Sequence, residues 1–277
     1  MISALNNTGV LRATMAIGRS QREVATSLER LSTGKKINRA ADNPAGLITT
    51  NDFKSRITEI SAQLSNFDQE EAWLGAREGA TSTLSDLTNE LRGLIVSAAD
   101  RSTRTADELD ALQLQVNSIV GAIDYVSNTS RFKGVQIIGG LNSATIGAGS
   151  AQAADGSAYT LNDLKTGGRL NLRTGDMEAA DKLLGGATSF VSGDRATVGV
   201  RLRAIDAERG VLSTELTNLD SARSAIEDTD IAEETAKLVR SQTLEQAAIY
   251  VKAAAQEQQA DSVLALLRDV KDVGKRV

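Results

Sequence analysis

"INRAADNPAGL", residues 37–47, carries the only proline of the chain and separates two segments that share a seven-residue apolar rhythm. Upstream, Val10, Ile17, Val24 and Leu31 stand seven apart. Leu28 adds to a second row in which Thr14 and Gln21 are polar, so the stripe is narrow and coiled-coil-like. It ends at "LSTGKKIN", where Gly34 and two lysines break the pattern. Downstream, Phe53, Ile60, Phe67 and Leu74 form a new row, with Ile57 and Leu64 beside it. The quoted stretch therefore reads as a link. Asn43 is placed to cap a helix whose first residue is Pro44, where a missing N–H costs nothing and a fixed φ helps. The competing reading is a kink within one continuous helix.

The rhythm extends outward from there. "AREGATST", residues 76–83, interrupts it, and Leu84, Leu91 and Ala98 resume it with Leu87 and Leu94 alongside. After the polar "DRSTRTADE" come two clean rows, Leu109, Val116, Ile123 and Leu112, Ile119, Val126. Residues 131–195 differ in character. "RFKGVQIIGG" is a β-prone run closed by Gly-Gly, and Gly-Gly recurs at 167–168 and 185–186 near "TGD" and "SGD". These signals favour short strands and hairpins. Val198, Ile205, Leu212, Leu219 and Ile226 restore the heptad. "EDTDIAEE" interrupts, and Asp230 followed by Glu233 starts one more helix in the manner of a capping box. That helix, to about Arg268, is rich in Ala and Gln, with Leu238, Leu244, Val251, Leu264 and Leu267 among its larger apolar groups.

The expected architecture is mainly α: a long helical, coiled-coil-like bundle with a small β-hairpin insert. Residues 1–36 and 230–277 form a terminal helical domain. Residues 43–140 and 195–227 form an inner helical bundle, and 131–195 a β-rich insert belonging to it. Phe53, Ile60, Phe67, Leu74, Leu109, Val116, Ile123, Ile205, Leu212 and Leu219 are the expected bundle core.

Composition narrows the chemistry. The 277 residues contain no cysteine and no histidine, which excludes disulfides, thiolate metal sites and imidazole catalysis. Aromatics make up 3% of the chain, which suits helix-on-helix packing better than a large globular core. The net charge is −5 with both signs interspersed, which argues against nucleic acid as a partner. No apolar run is long enough to cross a bilayer, and the first residues lack the charged leader and apolar block of a cleaved signal. Gly34-Lys35 is not a phosphate loop, because Glu29 stands where a glycine is needed and Lys36 where Ser or Thr is needed. Arg30, Lys35, Lys36 and Arg39 form a basic cluster in the link, read as solvated residues, with a partner or packing role as the alternative. Glu227, Asp228, Asp230, Glu233 and Glu234 lack the central glycine of a calcium loop, and capping with helix-dipole complementarity accounts for them. The sequence offers no catalytic site, no metal and no cofactor.

"SLERLSTGKKINRAADNPAGL", residues 27–47, resembles the N-terminal signature of bacterial flagellin. "SAIEDTDIAEETAKLVRSQTLEQAAIYVKAAAQEQQADSVLALLR", 224–268, resembles its C-terminal signature, and "SRFKGVQIIGG" is similar to the segment after the second inner helix. The resemblance implies a structural subunit that polymerises into the flagellar filament for motility, in a short form without large outer domains. It implies that the terminal helices pair in the filament core. Val10, Ile17, Val24, Leu28, Leu31, Leu238, Leu244, Val251, Leu264 and Leu267 would then pack there. It also implies partners: other copies in a helical homopolymer, an export chaperone at the C-terminal helix, and the filament cap and hook-junction proteins, with neither nucleic acid nor membrane. The subunit would be secreted to the extracellular filament without a cleaved signal peptide. Two positions depart from the family's innate-receptor site, "NELRGLIVS" at 89–97. Arg92, Leu94 and Val96 match it, Glu90 replaces the receptor-binding arginine, and Gln115 stands where the facing helix usually offers a glutamate. The stretch after Arg268, "DVKDVGKRV", has no assigned role. Alternatives are the hook–filament junction protein and, in a different class, a secreted helical binding module.

Overall fold

The computed structural model describes residues 8–273. Five helices account for most of them: α1 (Thr8–Thr33), α2 (Pro44–Ala98), α3 (Ala106–Thr129), α4 (Met177–Glu227) and α5 (Ile231–Val273). One hairpin, β1 (Arg131–Phe132) with β2 (Val135–Gln136), follows α3. Residues 1–7 and 274–277, the ends of the expected terminal domain and of the unassigned tail, lie outside the described residues.

The link behaves as its residues dictate. The Asn43 side chain accepts from Gly46 N at 2.9 Å while Pro44 opens α2, so the proline begins a helix rather than kinking one. Ile37 is buried and covers that first turn. A Cβ at Gly46 would come 2.8 Å from Ile37 Cδ1, which is why the position is glycine. Gly34, at φ +70, provides the left-handed residue that stops α1.

Chain contacts group the described residues into two compact units, each considered separately. The larger, residues 60–214, holds the main hydrophobic core. Leu84, Leu91, Ile95 and Ala98 of α2 meet Leu109, Val116, Ile119, Val120 and Ile123 of α3 there. A second cluster joins Leu74 to Val198 and Ile205 of α4, with Phe67 and Leu202 packed against it. Ion pairs tie the two helices beside it: Arg201 Nε to Glu70 Oε1 at 2.6 Å and Arg209 Nη2 to Asp68 Oδ1 at 2.9 Å. Of the expected bundle core, Ile60, Leu74, Leu109, Val116, Ile123 and Ile205 are buried, whereas Phe53, Phe67, Leu212 and Leu219 are half-buried.

Three local expectations are corrected. "AREGATST" does not interrupt α2. Ala76 and Ala80 pack against the core, Thr81 donates its hydroxyl back to Arg77 O at 2.9 Å, and Arg77 binds Asp194. Gly79 is tolerated there because these tertiary contacts outweigh a propensity cost of about 1 kcal/mol.

Residues 131–195 are not β-rich. Their strand content is the short hairpin, turned at Lys133-Gly134, both at positive φ, rather than at Gly139-Gly140. Between the hairpin and residue 176 the chain folds as turns and a 3-10 segment, Leu161–Leu164, that thread apolar side chains into the main core. Ile137, Ile138, Leu141, Ile146, Leu161, Leu164, Leu170 and Leu172 are all buried in it.

Lastly, Gly185-Gly186 lies inside α4, which starts at Met177 rather than near 195. Ala180, Leu183, Leu184, Ala187 and Val191 give that stretch a helical apolar face against the core. A Cβ on Gly186 would meet Ser150 Oγ at 1.7 Å, so the small residue admits close approach of the loop rather than making a turn.

The second unit takes in the described parts of 1–59 and 215–277. In it α1 and α5 run side by side, and the ends of α2 and α4 join them.

Candidate functional site: the terminal helix pair and its joint

The α1–α5 seam is built from small and polar groups. Ala13, Ser20 and Ser27 of α1 are buried, seven apart, with Val10, Ile17, Val24 and Leu31 half-buried three positions before or four after them. The second row of the seam is thus 13/20/27 and not the 14/21/28 row read from the sequence; Leu28 is 51% exposed. The reason is steric: small residues let two helices approach closely, and a leucine at each of these positions would hold them apart. On α5, Glu234 and Ser241 are buried, and Leu238, Glu245, Ala248, Lys252 and Ala255 are half-buried along the same face.

Hydrogen bonds set the antiparallel register. Ser27 Oγ donates to Glu234 Oε1 at 2.7 Å, Ser241 Oγ to Glu23 Oε2 at 3.1 Å, and Gln21 Nε2 to Glu245 Oε1 at 2.9 Å. Arg30 and Lys237 each stand 3.7 Å from Glu234. Polar pairs of this kind contribute modestly to stability but punish a register slip, which would leave buried acceptors unsatisfied.

Below the seam, the two links are fastened to each other. Lys36 N donates to Glu227 O at 2.6 Å and Thr229 N to Gly34 O at 2.9 Å, an antiparallel bridge centred on Lys35 and Asp228. Lys35 Nζ and Lys54 Nζ converge on Glu227 Oε1 at 2.8 and 2.9 Å. Glu227 is buried, which by itself raises its pKa. The hydrogen bonds and charges of Lys35 and Lys54 outweigh burial and hold it below the ordinary carboxylate range. Asp42 is held low chiefly by the Arg39 and Asn38 backbone N–H groups it accepts, at 2.8 and 3.0 Å.

The basic cluster and the acidic patch are therefore largely partners. Lys35 meets Glu227, Arg30 meets Glu234, and Arg39 grips Glu29 through both oxygens. Capping explains only part of the acids: Asp230 accepts from Ala232 N and Glu233 N at 2.9 and 3.1 Å. Complementary signs on the two links were the available sequence signal, but nothing in the spacing said they would meet.

Elsewhere on the pair large apolar groups stand among the charged ones and are uncovered in the isolated chain. Leu11 and Met15 on α1, and Val239, Leu244, Ile249, Tyr250, Val251, Leu264 and Leu267 on α5, are all exposed. So many large apolar groups on two adjoining helices mark an interaction surface.

Two family descriptions match the chain. "Bacterial flagellin N-terminal helical region" covers residues 4–143, and "Bacterial flagellin C-terminal helical region" covers 182–267. This chain belongs to the bacterial flagellin family. It is 27% identical to the flagellin of Bacillus subtilis (strain 168), over 87% of this chain and 92% of that one. It is 25% identical to the flagellar filament 30.7 kDa core protein of Treponema maltophilum, over 95% and 98%. With flagellin FljK of Caulobacter vibrioides it shares 27% identity, over 95% and 97%. Relatives of matching length mark it as a short-form flagellin. Its role is that of a structural subunit of the extracellular filament, in a family of structural proteins rather than enzymes. No helix among the described residues is long and apolar enough to cross a membrane, and no group of acids there could hold a metal ion.

The positions that the resemblance would set at an innate-receptor site, Glu90, Arg92, Leu94 and Gln115, lie in the larger unit. Glu90 and Gln115 are exposed, Leu94 packs against the core, and Arg92 Nε is 3.1 Å from Asp181 Oδ1.

Proposed function

We propose that this flagellin builds the filament by laying the exposed apolar faces of α1 and α5 against those of other copies. The observation that carries this is the contrast between the two sides of the pair. The fully buried groups shared within the chain are small or polar, Val10, Ile17, Val24 and Leu31 are only half-buried beside them, and Leu11, Met15, Leu244 and Leu264 are exposed. A lone pair of this kind gains little from burial, whereas copies packed around one axis cover Leu11, Met15, Leu244 and Leu264 together, at about 1.5–3 kcal/mol for each side chain fully buried. On this reading Val10, Ile17, Val24, Leu28, Leu31, Leu238, Leu244, Val251, Leu264 and Leu267 are the packing residues of the filament core. An export chaperone would use the same apolar face of α5 before assembly, and the filament cap and hook-junction proteins would meet the ends of the polymer. Export would proceed without a cleaved signal peptide.

Seeded polymerisation tests the reading. Wild-type chain should elongate filament seeds into long filaments visible by negative stain. Leu264→Asp should leave the monomer's thermal unfolding unchanged, because that side chain is 53% exposed, and should stop elongation. Normal filaments from this variant would remove Leu264 from the packing surface.

A further inference from the structure

A groove of about 660 Å³ runs along the α1–α5 pair. It is lined by Gly9, Ala13, Ala16 and Ser20 of α1, by Leu244 and Val251 among the α5 residues, and by three charged groups, Arg12, Arg19 and Glu23, of which Glu23 accepts from Ser241 Oγ. Residues 8–22 of α1 contain Arg12, Arg19 and Arg22 and no acid. Residues 253–267 of α5 contain Glu257 and Asp261 and no base. Among the described residues, none of these five charges has a side-chain hydrogen bond or an ion pair.

The two sets cannot meet within one chain. The pairs Ser27–Glu234, Glu23–Ser241 and Gln21–Glu245 fix the register. Continued along the helices, that register sets Arg19 beside residue 245 and Arg12 near 252. Glu257 and Asp261 lie farther on, by about 7 and 13 Å at 1.5 Å per residue. They also point elsewhere. Positions 248, 252, 255 and 259 are half-buried toward α1, whereas Tyr250, Ala254, Glu257, Asp261 and Leu264 are exposed. A shift of two residues turns a helix by about 200°, so this second row is the opposite face.

From this juxtaposition we infer that the groove receives the outer face of α5 from a second copy of the chain, with its Glu257 and Asp261 bound between Arg12 and Arg19. The inference rests on the filament reading and adds to it a specific contact between copies. Charge complementarity selects the occupant: Arg12 and Arg19, without side-chain partners among the described residues, line the groove beside a Glu23 already held by Ser241, and Glu257 and Asp261, likewise without partners there, lie on the helix face of Leu264. The spacing also agrees. Arg12 and Arg19 are about 10.5 Å apart along α1, and Glu257 and Asp261 about 6 Å apart along α5, so both acids fit inside the span and each reaches outward to one guanidinium. A groove and a face on different parts of the molecule make a heterologous contact, which propagates into an open polymer instead of closing into a dimer.

Charge reversal in two variants tests the contact. Arg12→Glu with Arg19→Glu gives a chain with two acidic faces, and Glu257→Arg with Asp261→Arg gives one with two basic faces. Each alone should raise the critical concentration for seeded elongation by about tenfold or more at low salt, because like charges oppose across the interface. An equimolar mixture should elongate, since each copy then meets its complement, and so should the chain carrying all four changes. Elongation of either variant alone at the wild-type critical concentration overturns the inference. So does rescue by the fourfold variant without rescue by the mixture, which would place the contact inside one chain. Arg12→Gln with Arg19→Gln, which preserves helix propensity, should weaken elongation and remove its salt dependence. Retained salt dependence in that variant counts against the contact. Wild-type elongation is the separate control: its failure would sink the filament reading, whereas failure of the mixture alone would sink only this contact.

Discussion

Glu227→Gln is the most informative single change in the joint. The side chain is buried, and one of its oxygens takes both Lys35 Nζ and Lys54 Nζ at 2.8 and 2.9 Å. Glutamine keeps the shape and removes the charge that two ammonium groups share. Breaking a fully buried pair costs about 3–5 kcal/mol, but both lysines here keep more than a third of their side chains in water and can rehydrate. A loss of about 1–3 kcal/mol, the scale of a hydrogen bond to a charged group, is expected at pH 7. The backbone bridge, Lys36 N to Glu227 O and Thr229 N to Gly34 O, does not depend on the carboxylate and should persist as a weakened joint. Acid should reproduce the mutation. Because the folded-state pKa is lowered from its ordinary value of 4.5, Glu227 contributes its full stability above about pH 4.5 and loses it as pH falls through the folded value. Hydrogen exchange at residues 34–37 and 228–230, read with thermal unfolding, is the assay. Wild type and Glu227→Gln should differ at pH 7 and converge once the pH falls below the folded-state value. Equal protection at pH 7, or a gap that survives acidification, would refute the reasoning.

Three further outcomes are expected. Ile205→Ala should destabilise the larger unit by about 2–5 kcal/mol, since Ile205 is fully buried against Leu74 and Val198, while Leu212→Ala should cost less because Leu212 is half-buried; equal losses in denaturant unfolding would contradict this. In monomer, amides of residues 10–31 and 234–259 should exchange faster than those of 84–98 and 109–126, because a seam of serines and alanines buries too little apolar surface to offset about 1–2 kcal/mol of backbone entropy per residue; slow exchange across 10–31 would show that the pair is stable alone. Innate-receptor signalling by the monomer should be weak and should rise with Glu90→Arg plus Gln115→Glu, both exposed positions; full signalling by the unmodified chain would show that they do not decide recognition.

Helix start signals and heptad rows are local properties, and they survive into the structure wherever nothing distant competes. Asn43-Pro44 opens α2, Asp230 caps α5, and the paired rows of α3 place Leu109, Val116 and Ile123 in the core. Those features depend on neighbouring φ preferences and on a periodicity of 3.6, both written in consecutive residues. Elsewhere the tertiary structure decided. The glycines at 79, 185 and 186 spell turns when read alone, but packing of Ala80, Leu183 and Ala187 on the core keeps each within a helix. The segment read as β-rich has too little ladder to stand as a sheet and instead buries its leucines and isoleucines among α2, α3 and α4. The pairing of Lys35 and Lys54 with Glu227 joins residues 173 to 192 positions apart. The sequence determined which segments are helical and which family signatures they carry. Only the folded chain decided that the row 13/20/27 forms the seam and that Leu11, Met15, Leu244 and Leu264 stay exposed. How closely two helices approach depends on the side chains of both, and neither helix encodes that alone.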